Sequence, residues 1–310
     1  MQRLVTAIAT AAIIVWTSPA FAATMSLDTT VTAFDLVQKL LGSAPGITVL
    51  PGSREVSGAA GIFFNAGDSL PFEEGITLAT GNARTASQIN LDDGASVDSG
   101  TGGDTQLSAL IGGTPTTNAA VLEFAFTAVN PVVSFQYVFA SEEYNEWVGT
   151  RFNDVFGFFL NDVNIALVPR TATKTVPVAV SAVNCSSNNQ FYTNNDDPSP
   201  GDEADEKCAA SGKAYANLPI QYDGLIGAGS NPEYWLHATG SVNTGGAVNT
   251  IKLAIADTSD HLYDSAVFLK AGSFQNAPPP VNTVPEPSSL GLLGLGVGLA
   301  CRRRARRHNA

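Results

Sequence analysis

Short apolar runs that alternate with polar residues and stop at turn formers dominate this 310-residue chain. That pattern restricts it to antiparallel β architecture. In Val121-Leu122-Glu123-Phe124-Ala125-Phe126 large side chains fall on every second position, as do Val133, Phe135, Tyr137 and Phe139. Ile251, Leu253 and Ile255 alternate with Lys252 and Ala254 in the same way. Successive side chains of a strand point to opposite faces, so each run turns one apolar face toward a core. Further apolar runs cover 154–160, 164–168, 176–183 and 265–268, punctuated by Gly, Asn, Asp and Pro. One helix is legible. Thr32 caps it with Asp35 as its acidic capping-box partner, Phe34, Val37, Leu40 and Leu41 share a face, and Gly42 stops it. No internal repeat is present, which disfavours a solenoid or propeller. The expected fold class is mainly β: an antiparallel β-sandwich, jelly-roll-like, with one short N-terminal helix.

Both ends of the chain read as addresses. Residues 1–22 have a positive start at Arg3, an apolar run from Leu4 to Trp16, and Ala20-Phe21-Ala22 before a cleavage point at Ala23. A Pro-rich linker at 277–287 ends in Pro285-Glu286-Pro287, and a short hydrophobic segment at 288–301 precedes a basic tail at 302–310 with Arg302, Arg303 and Arg304. The hydrophobic segment is shorter than the roughly 20 residues that span a bilayer comfortably. Its Arg flank stays cytoplasmic by the positive-inside rule. Motif, apolar segment and Arg tail in this order resemble the PEP-CTERM sorting signal of Gram-negative bacteria. The resemblance implies the secretion machinery and an exosortase, an intramembrane cysteine protease, as partners. It also implies transient membrane insertion of the C-terminal segment, an inner-membrane-anchored precursor, and a final place on the outer surface or outside the cell. Residues 23–276 remain as one domain.

Charge sharpens that division. The formal net charge is −12, but without residues 1–22 and 285–310 the chain holds 10 basic against 27 acidic residues. So acidic a domain excludes nucleic acid as a partner, because that binding rests on Lys and Arg neutralising phosphates. A 44% hydrophobic content argues against intrinsic disorder. Cys185 and Cys208 are the cysteines of the 23–276 segment. Outside the cytoplasm a disulfide between them persists, closing an acidic, Asn-rich loop and contributing roughly 3 kcal/mol in the chain-entropy model. Free buried thiols and half of a metal site are the competing readings.

Four segments carry a second resemblance: Gly75–Asn82 (GITLATGN), Phe135–Tyr144 (FQYVFASEEY), Phe152–Phe159 (FNDVFGFF) and Leu253–Leu269 (LAIADTSDHLYDSAVFL). With Gly103-Asp104 and Asn164–Val168 they resemble the choice-of-anchor L domain of secreted bacterial proteins, over about Thr32 to Phe274. The family carries interchangeable C-terminal sorting devices, in agreement with the tail, and implies fold and context without an activity.

The densest polar constellation is Glu142, Glu143, Asn153, Asp154, Asp257, Asp260 and Asp264. Several of these follow or precede strongly apolar strands, where unpaired carboxylates repel and are poorly solvated. Salt-bridge partners are scarce, so a hard, oxygen-seeking cation such as Ca2+ is the expected cofactor, set against carboxylates that only cap turns. No EF-hand spacing supports it; clustering at strand ends does. The acidic loop 194–208 is a second place to gather cations. Adjacent Glu142 and Glu143 point to opposite faces of a strand, a poor pair for glycoside hydrolysis. His237, His261 and His308 are isolated, and no nucleophile-elbow, H-E-x-x-H or phosphate-loop motif occurs. Tyr144, Trp147, Tyr192, Tyr234 and Trp235 are candidate sugar platforms. The functional expectation is an exported, noncatalytic surface or extracellular-matrix protein, associated with biofilm exopolysaccharide through its sorting system. A carbohydrate-binding adhesin module is the alternative, and a secreted glycan hydrolase a remote one.

Overall fold

Alternation produces pairing wherever the sequence expects it. A computed structural model describes residues 25–90, 93–171, 174–197 and 203–278. Its first strands are β1 (Ser26–Asp28), β2 (Ile47–Val49), β3 (Glu55–Ser57), β4 (Ala59–Phe64) and β5 (Gly75–Ala79). The long central ones follow as β6 (Thr116–Ala128), β7 (Val132–Ser141) and β8 (Val155–Leu160). Next come β9 (Val163–Asn164), β10 (Leu167–Thr171), β11 (Lys174–Ala179), β12 (Tyr192–Asn194) and β13 (Gly224–Ile226). The last are β14 (Leu236–Ser241), β15 (Asn249–Thr258) and β16 (Ser265–Lys270). Helices α1 (Ala33–Leu41), α2 (Thr105–Leu110) and α3 (Glu203–Ala210) interrupt them.

The strands form two antiparallel sheets. One runs β1-β4-β5-β16-β7-β13-β12, with β14 also on β7; the other runs β10-β11-β8-β15-β6-β2, with β3 on β6 and β9 on β8. Between them lies one apolar core. Phe135 of β7 stacks on Phe274 at 4.1 Å and meets Phe158 of β8 edge-on at 4.2 Å. The outer faces are covered too. Leu70, Phe72 and Tyr222 join Phe63 and Phe268 over the first sheet, and Leu107 of α2 covers Phe159, Ala254 and Ala256 of the second. This double covering is why all six residues of β8 are buried, giving an apolar run where a one-sided strand would alternate.

Helix α1 has the expected capping box, with Thr32 and Asp35 bonding reciprocally. Its buried face differs from the reading: Leu36, Val37, Leu40 and Leu41 are buried, whereas Phe34 is 54% exposed and lies under the Arg54 guanidinium. The single expected helix also proves too few. Asp104 caps α2 by accepting from Gln106 N and Leu107 N, a two-bond cap that nucleates a helix too short for periodicity to reveal. The expected strand over 176–183 ends at Ala179, because the Asn153 side chain accepts from Ser181 N and bends the chain away. The 164–168 run is likewise split between β9 and β10.

Antiparallel order has a consequence for the ends of the strands. Ser141 at the end of β7 is in register with Ser265 at the start of β16 and with Gly224 at the start of β13. Val155 at the start of β8 pairs with Ala256 near the end of β15. Residues just outside these ends therefore collect at one pole. The opposite pole holds the start of β1 and residues 275–277, where Ser134 Oγ donates to Ala277 O at 2.7 Å.

Candidate functional site

Acidic residues occupy nearly every strand end at the first pole. Glu142 and Glu143 follow β7, Asp154 precedes β8, Asp223 precedes β13, Asp264 precedes β16, and Asp257 lies near the end of β15. All six are at most 1% exposed. Five belong to the constellation read from sequence; Asp223 does not.

Glu143, Asp154 and Asp257 form the inner part. Glu143 Oε2 accepts from Asp154 N at 3.0 Å. Asp154 accepts from Thr258 N at 3.0 Å and from Ser265 Oγ at 2.6 Å. Asp257 Oδ2 accepts from Asn118 Nδ2 at 3.0 Å, while its Oδ1 has no donor. Burial, with the neighbouring Asp257 and Asp260 charges, pushes Glu143 up to about 8 against the pull of the Asp154 amide. Burial likewise carries Asp257 to about 7. Loss of hydration disfavours the charged form of each.

Glu142 turns the other way, toward Asp223 and Asp264. Its carboxyl is in hydrogen-bonding contact with Asp223 and with the Gln221 amide. Burial first, then the Asp223 and Asp264 charges, push it up to about 12, only partly offset by the Gln221 amide. Asp264 Oδ1 accepts from Val97 N at 2.9 Å and Oδ2 is left without a donor. Its carboxylate lies so close to Gly81 that a Cβ there would overlap it. Asp223 Oδ1 accepts from Asn90 Nδ2 at 2.7 Å, and its carboxyl is in hydrogen-bonding contact with Glu142.

Beyond Asp223 the arc continues into Asp196 and Asp205. Asn145 binds both, donating from Nδ2 to Asp196 Oδ2 at 3.0 Å and to Asp205 Oδ1 at 3.4 Å. Tyr192 OH orients Asn145 by donating to its Oδ1 at 2.8 Å. Burial, the Asp205 hydrogen bond and the Asp223 and Glu146 charges push Asp196 up to about 10. Among the described residues, two sets of three acidic side chains bring one oxygen each within 4.8 Å of one another: Asp93, Asp196 and Asp223, and Glu146, Asp196 and Asp205. None of the seven residues expected to hold Ca2+ belongs to either set. Asn153 spends its side chain on Ser181 N, and Asp260 is a half-buried turn residue accepting from Leu262 N. Asp196 and Asp205 lie in the acidic loop 194–208 that the sequence placed second. Asp223 gave no signal, because it stands alone between Tyr222 and Gly224.

Ion pairs among the described residues link Lys39 with Glu74, Lys207 with Glu203, and Lys252 with Asp104 and Glu123, and His261 Nδ1 lies 3.5 Å from Asp98 Oδ1. None engages Glu142, Glu143, Asp154, Asp196, Asp223, Asp257 or Asp264.

Cys185 and Cys208 are free, buried thiols in hydrogen-bonding contact, not a bridge in this structure. The contact with Cys208 lowers the Cys185 thiol to about 7. Of the aromatic platforms, Tyr144 and Tyr192 are fully enclosed, with Tyr144 OH donating to Val183 O at 2.7 Å, so neither can face a sugar. Trp147, Tyr234 and Trp235 keep part of their surface. Tyr234 and Trp235 line a groove of about 740 Å³. His237 is half-buried, and burial and nearby Lys270 lower its pKa. His308 lies outside the described residues.

Comparison with known proteins gives this pole its context. The Choice-of-anchor L domain family matches residues 24–275. The chain belongs to that family. In this choice-of-anchor L domain, the segments that resembled the family in sequence are the central strands β5, β7, β8, β15 and β16 with the strand ends that carry Glu142, Glu143, Asp154, Asp257 and Asp264. The PEP-CTERM protein-sorting motif matches residues 283–305. The protein is therefore exported and processed by an exosortase, and is located at a Gram-negative cell surface or outside the cell. Pro285, Glu286, Pro287, Arg302, Arg303 and Arg304 lie outside the described residues, as do Ala20, Ala22 and Ala23. Among the described residues no helix is long and apolar enough to cross a membrane. No curated protein matches. A solved structure, the crystal structure of Agl-KA catalytic domain, is similar over 66% of this chain and 30% of its own at 14% identity. This chain thus spans under a third of that one, and the TM-score of 0.20 carries no argument.

Proposed function

We propose that this protein is a noncatalytic domain displayed outside the cell, on the surface or in the extracellular matrix, with biofilm exopolysaccharide as its surroundings. The observation that carries the reading is the succession of a choice-of-anchor L domain and a PEP-CTERM motif in one chain. The geometry supports it. Met25 and residues 277–278, the two described ends, leave from the pole opposite the acidic arc, so the sorting tail joins the domain away from the arc. The carboxylates argue in the same direction. Glycoside hydrolysis sets two carboxyls across an accessible bond, whereas Glu142 and Glu143 are sealed from solvent and turn to different neighbours. A carbohydrate-binding module is the second reading, favoured by the groove beside Tyr234 and Trp235.

A glycan array with hydrolysis controls separates these readings. Silence supports the display role, selective binding lost in Trp235→Ala supports the module, and released sugars overturn the noncatalytic reading. Fractionation with mass spectrometry of the mature ends tests processing: a surface form that retains Arg302–Arg304 would refute cleavage at the motif.

A further inference from the structure

A small cavity on the outer face of the first sheet differs from the rest of this acidic domain. Along β7, Phe135 and Tyr137 face the core, so Gln136 between them faces outward. Strand pairing sets His237 of β14 beside Gln136. The β16 register, in which Leu269 lies opposite Tyr137, carries Lys270 to its other side. Residues 272–277 then return along β7, with Gln275 N donating to Ser134 O at 3.1 Å. These elements enclose a cavity of about 280 Å³. Its lining includes Lys270, His237, Gln136, Ser273 and Gln275, with Pro278 as an apolar wall, and contains no Asp or Glu.

The polar groups of this cavity are short of an acceptor. Lys270 Nζ donates to Gln136 Oε1 at 3.2 Å, and among the described residues it has no ion-pair partner. The Gln136 side chain is 6% exposed, and among the described residues its Nε2 donates to nothing. A buried donor without a bond carries a desolvation cost that nothing offsets. Ser273 Oγ accepts from Gln136 N at 3.3 Å, so its hydroxyl hydrogen is left to donate. Gln275 spends its Nε2 on Gly272 O and keeps its carbonyl as an acceptor. Burial first, and then Lys270, lower the His237 pKa, so near neutral pH the ring is uncharged and supplies one N–H. The cavity thus holds one full positive charge. A carboxylate matches that charge, whereas a phosphate near −2 exceeds it. We propose that this cavity binds a small carboxylate bearing hydroxyls, the chemistry of a uronic acid, with the carboxylate against Lys270 and the Gln136 amide and the hydroxyls against Ser273 and Gln275. Pockets for drug-sized ligands run to roughly 300–1,000 Å³, so this smaller one limits the occupant to a single sugar ring. The site shares no residue with the groove beside Tyr234 and Trp235 and rests on neither reading above.

The test is an NMR titration of the full chain with sodium glucuronate, glucose and inorganic phosphate, at neutral pH and fixed ionic strength. Glucuronate is expected to bind with a Kd on the order of 1 mM, and glucose and phosphate about tenfold more weakly or less. In the unmodified chain the His237 ring signals should move with glucuronate and stay with glucose. Lys270→Gln keeps the length, removes the charge and should weaken glucuronate about tenfold. Lys207→Gln, on the exposed side of α3, controls for diffuse attraction and should change nothing. Gln136→Glu sets a carboxylate in the cavity and should abolish binding; because a buried substitution can fail to fold, the His237 signals and Lys270→Gln decide without it. Glucuronate binding no tighter than glucose or phosphate, unmoved by Lys270→Gln, or weakened equally by Lys207→Gln overturns the proposal.

Discussion

Asn276 is the last buried residue before the linker, and its replacement by Ala tests how firmly the domain holds the end that carries the sorting tail. Its side chain is 3% exposed and fully engaged. Oδ1 accepts from Val129 N at 3.1 Å and Asn130 N at 2.7 Å, and Nδ2 donates to Asn130 O at 2.7 Å and Val132 O at 2.8 Å. Asn276→Ala removes all four bonds. At about 1 kcal/mol net per bond the loss is at most about 4 kcal/mol, since Val129 N keeps its bond to Gly46 O. For a domain of this size that lowers Tm by roughly 8–16 °C. Asn276→Asp keeps both acceptors but sets a carboxylate against the Asn130 and Val132 carbonyls, so it is expected to cost at least as much. The exposed Thr244→Ala serves as a control, with a shift within about 2 °C. Circular dichroism melting measures the global effect, and hydrogen exchange at Asn130 reads the local one. A Tm change under about 2 °C with unchanged exchange would refute the hydrogen-bond ledger.

The other predictions address the acidic pole and its surroundings. In chelator, stability should fall between pH 5 and pH 8. Glu143, raised from 4.5 to about 8, and Asp257, raised from 3.8 to about 7, keep protons in the folded state that the unfolded chain has released. Each retained proton therefore lowers stability as pH rises until the folded value is passed; urea midpoints that rise with pH would contradict this. Gly81→Ala drives a Cβ into the Asp264 carboxylate and should destabilise by about 1–3 kcal/mol. Gly102→Ala, which meets nothing, should be neutral or slightly stabilising in the same melts. The adjacent Cys185 and Cys208 thiols, the former lowered to about 7, should oxidise to a disulfide in the exported protein. Non-reducing peptide mapping would show this, and Cys208→Ser should cost about 2–4 kcal/mol relative to the oxidised form. Unpaired thiols in protein taken from the cell surface would end that expectation.

How much of this molecule is legible in sequence depends on the range of the forces involved. Strands β6, β7, β15 and β16 announce themselves because side-chain alternation is a local property of extended backbone, visible within six residues. The capping box of α1 is equally local. Helix α2 escapes because six residues give too little periodicity, and Phe34 is misplaced because its partner Arg54 belongs to a later segment. Glu142, Glu143, Asp154, Asp257 and Asp264 were recognisable because they sit beside apolar strands, where a carboxylate is out of place.

Their grouping was not recognisable. Glu142 and Glu143 are neighbours in sequence yet turn to different partners, whereas Asp223 and Asp196, 27 positions apart, face each other. Sequence alone determined the β class, the acidic balance and the C-terminal motif that sorts the chain, since each rests on composition or short-range pattern. Only the tertiary structure decided which carboxylates meet. That depends on strand order and register, which place the end of β7 beside the starts of β13 and β16, and long-range pairing leaves no imprint in the spacing of the residues it brings together.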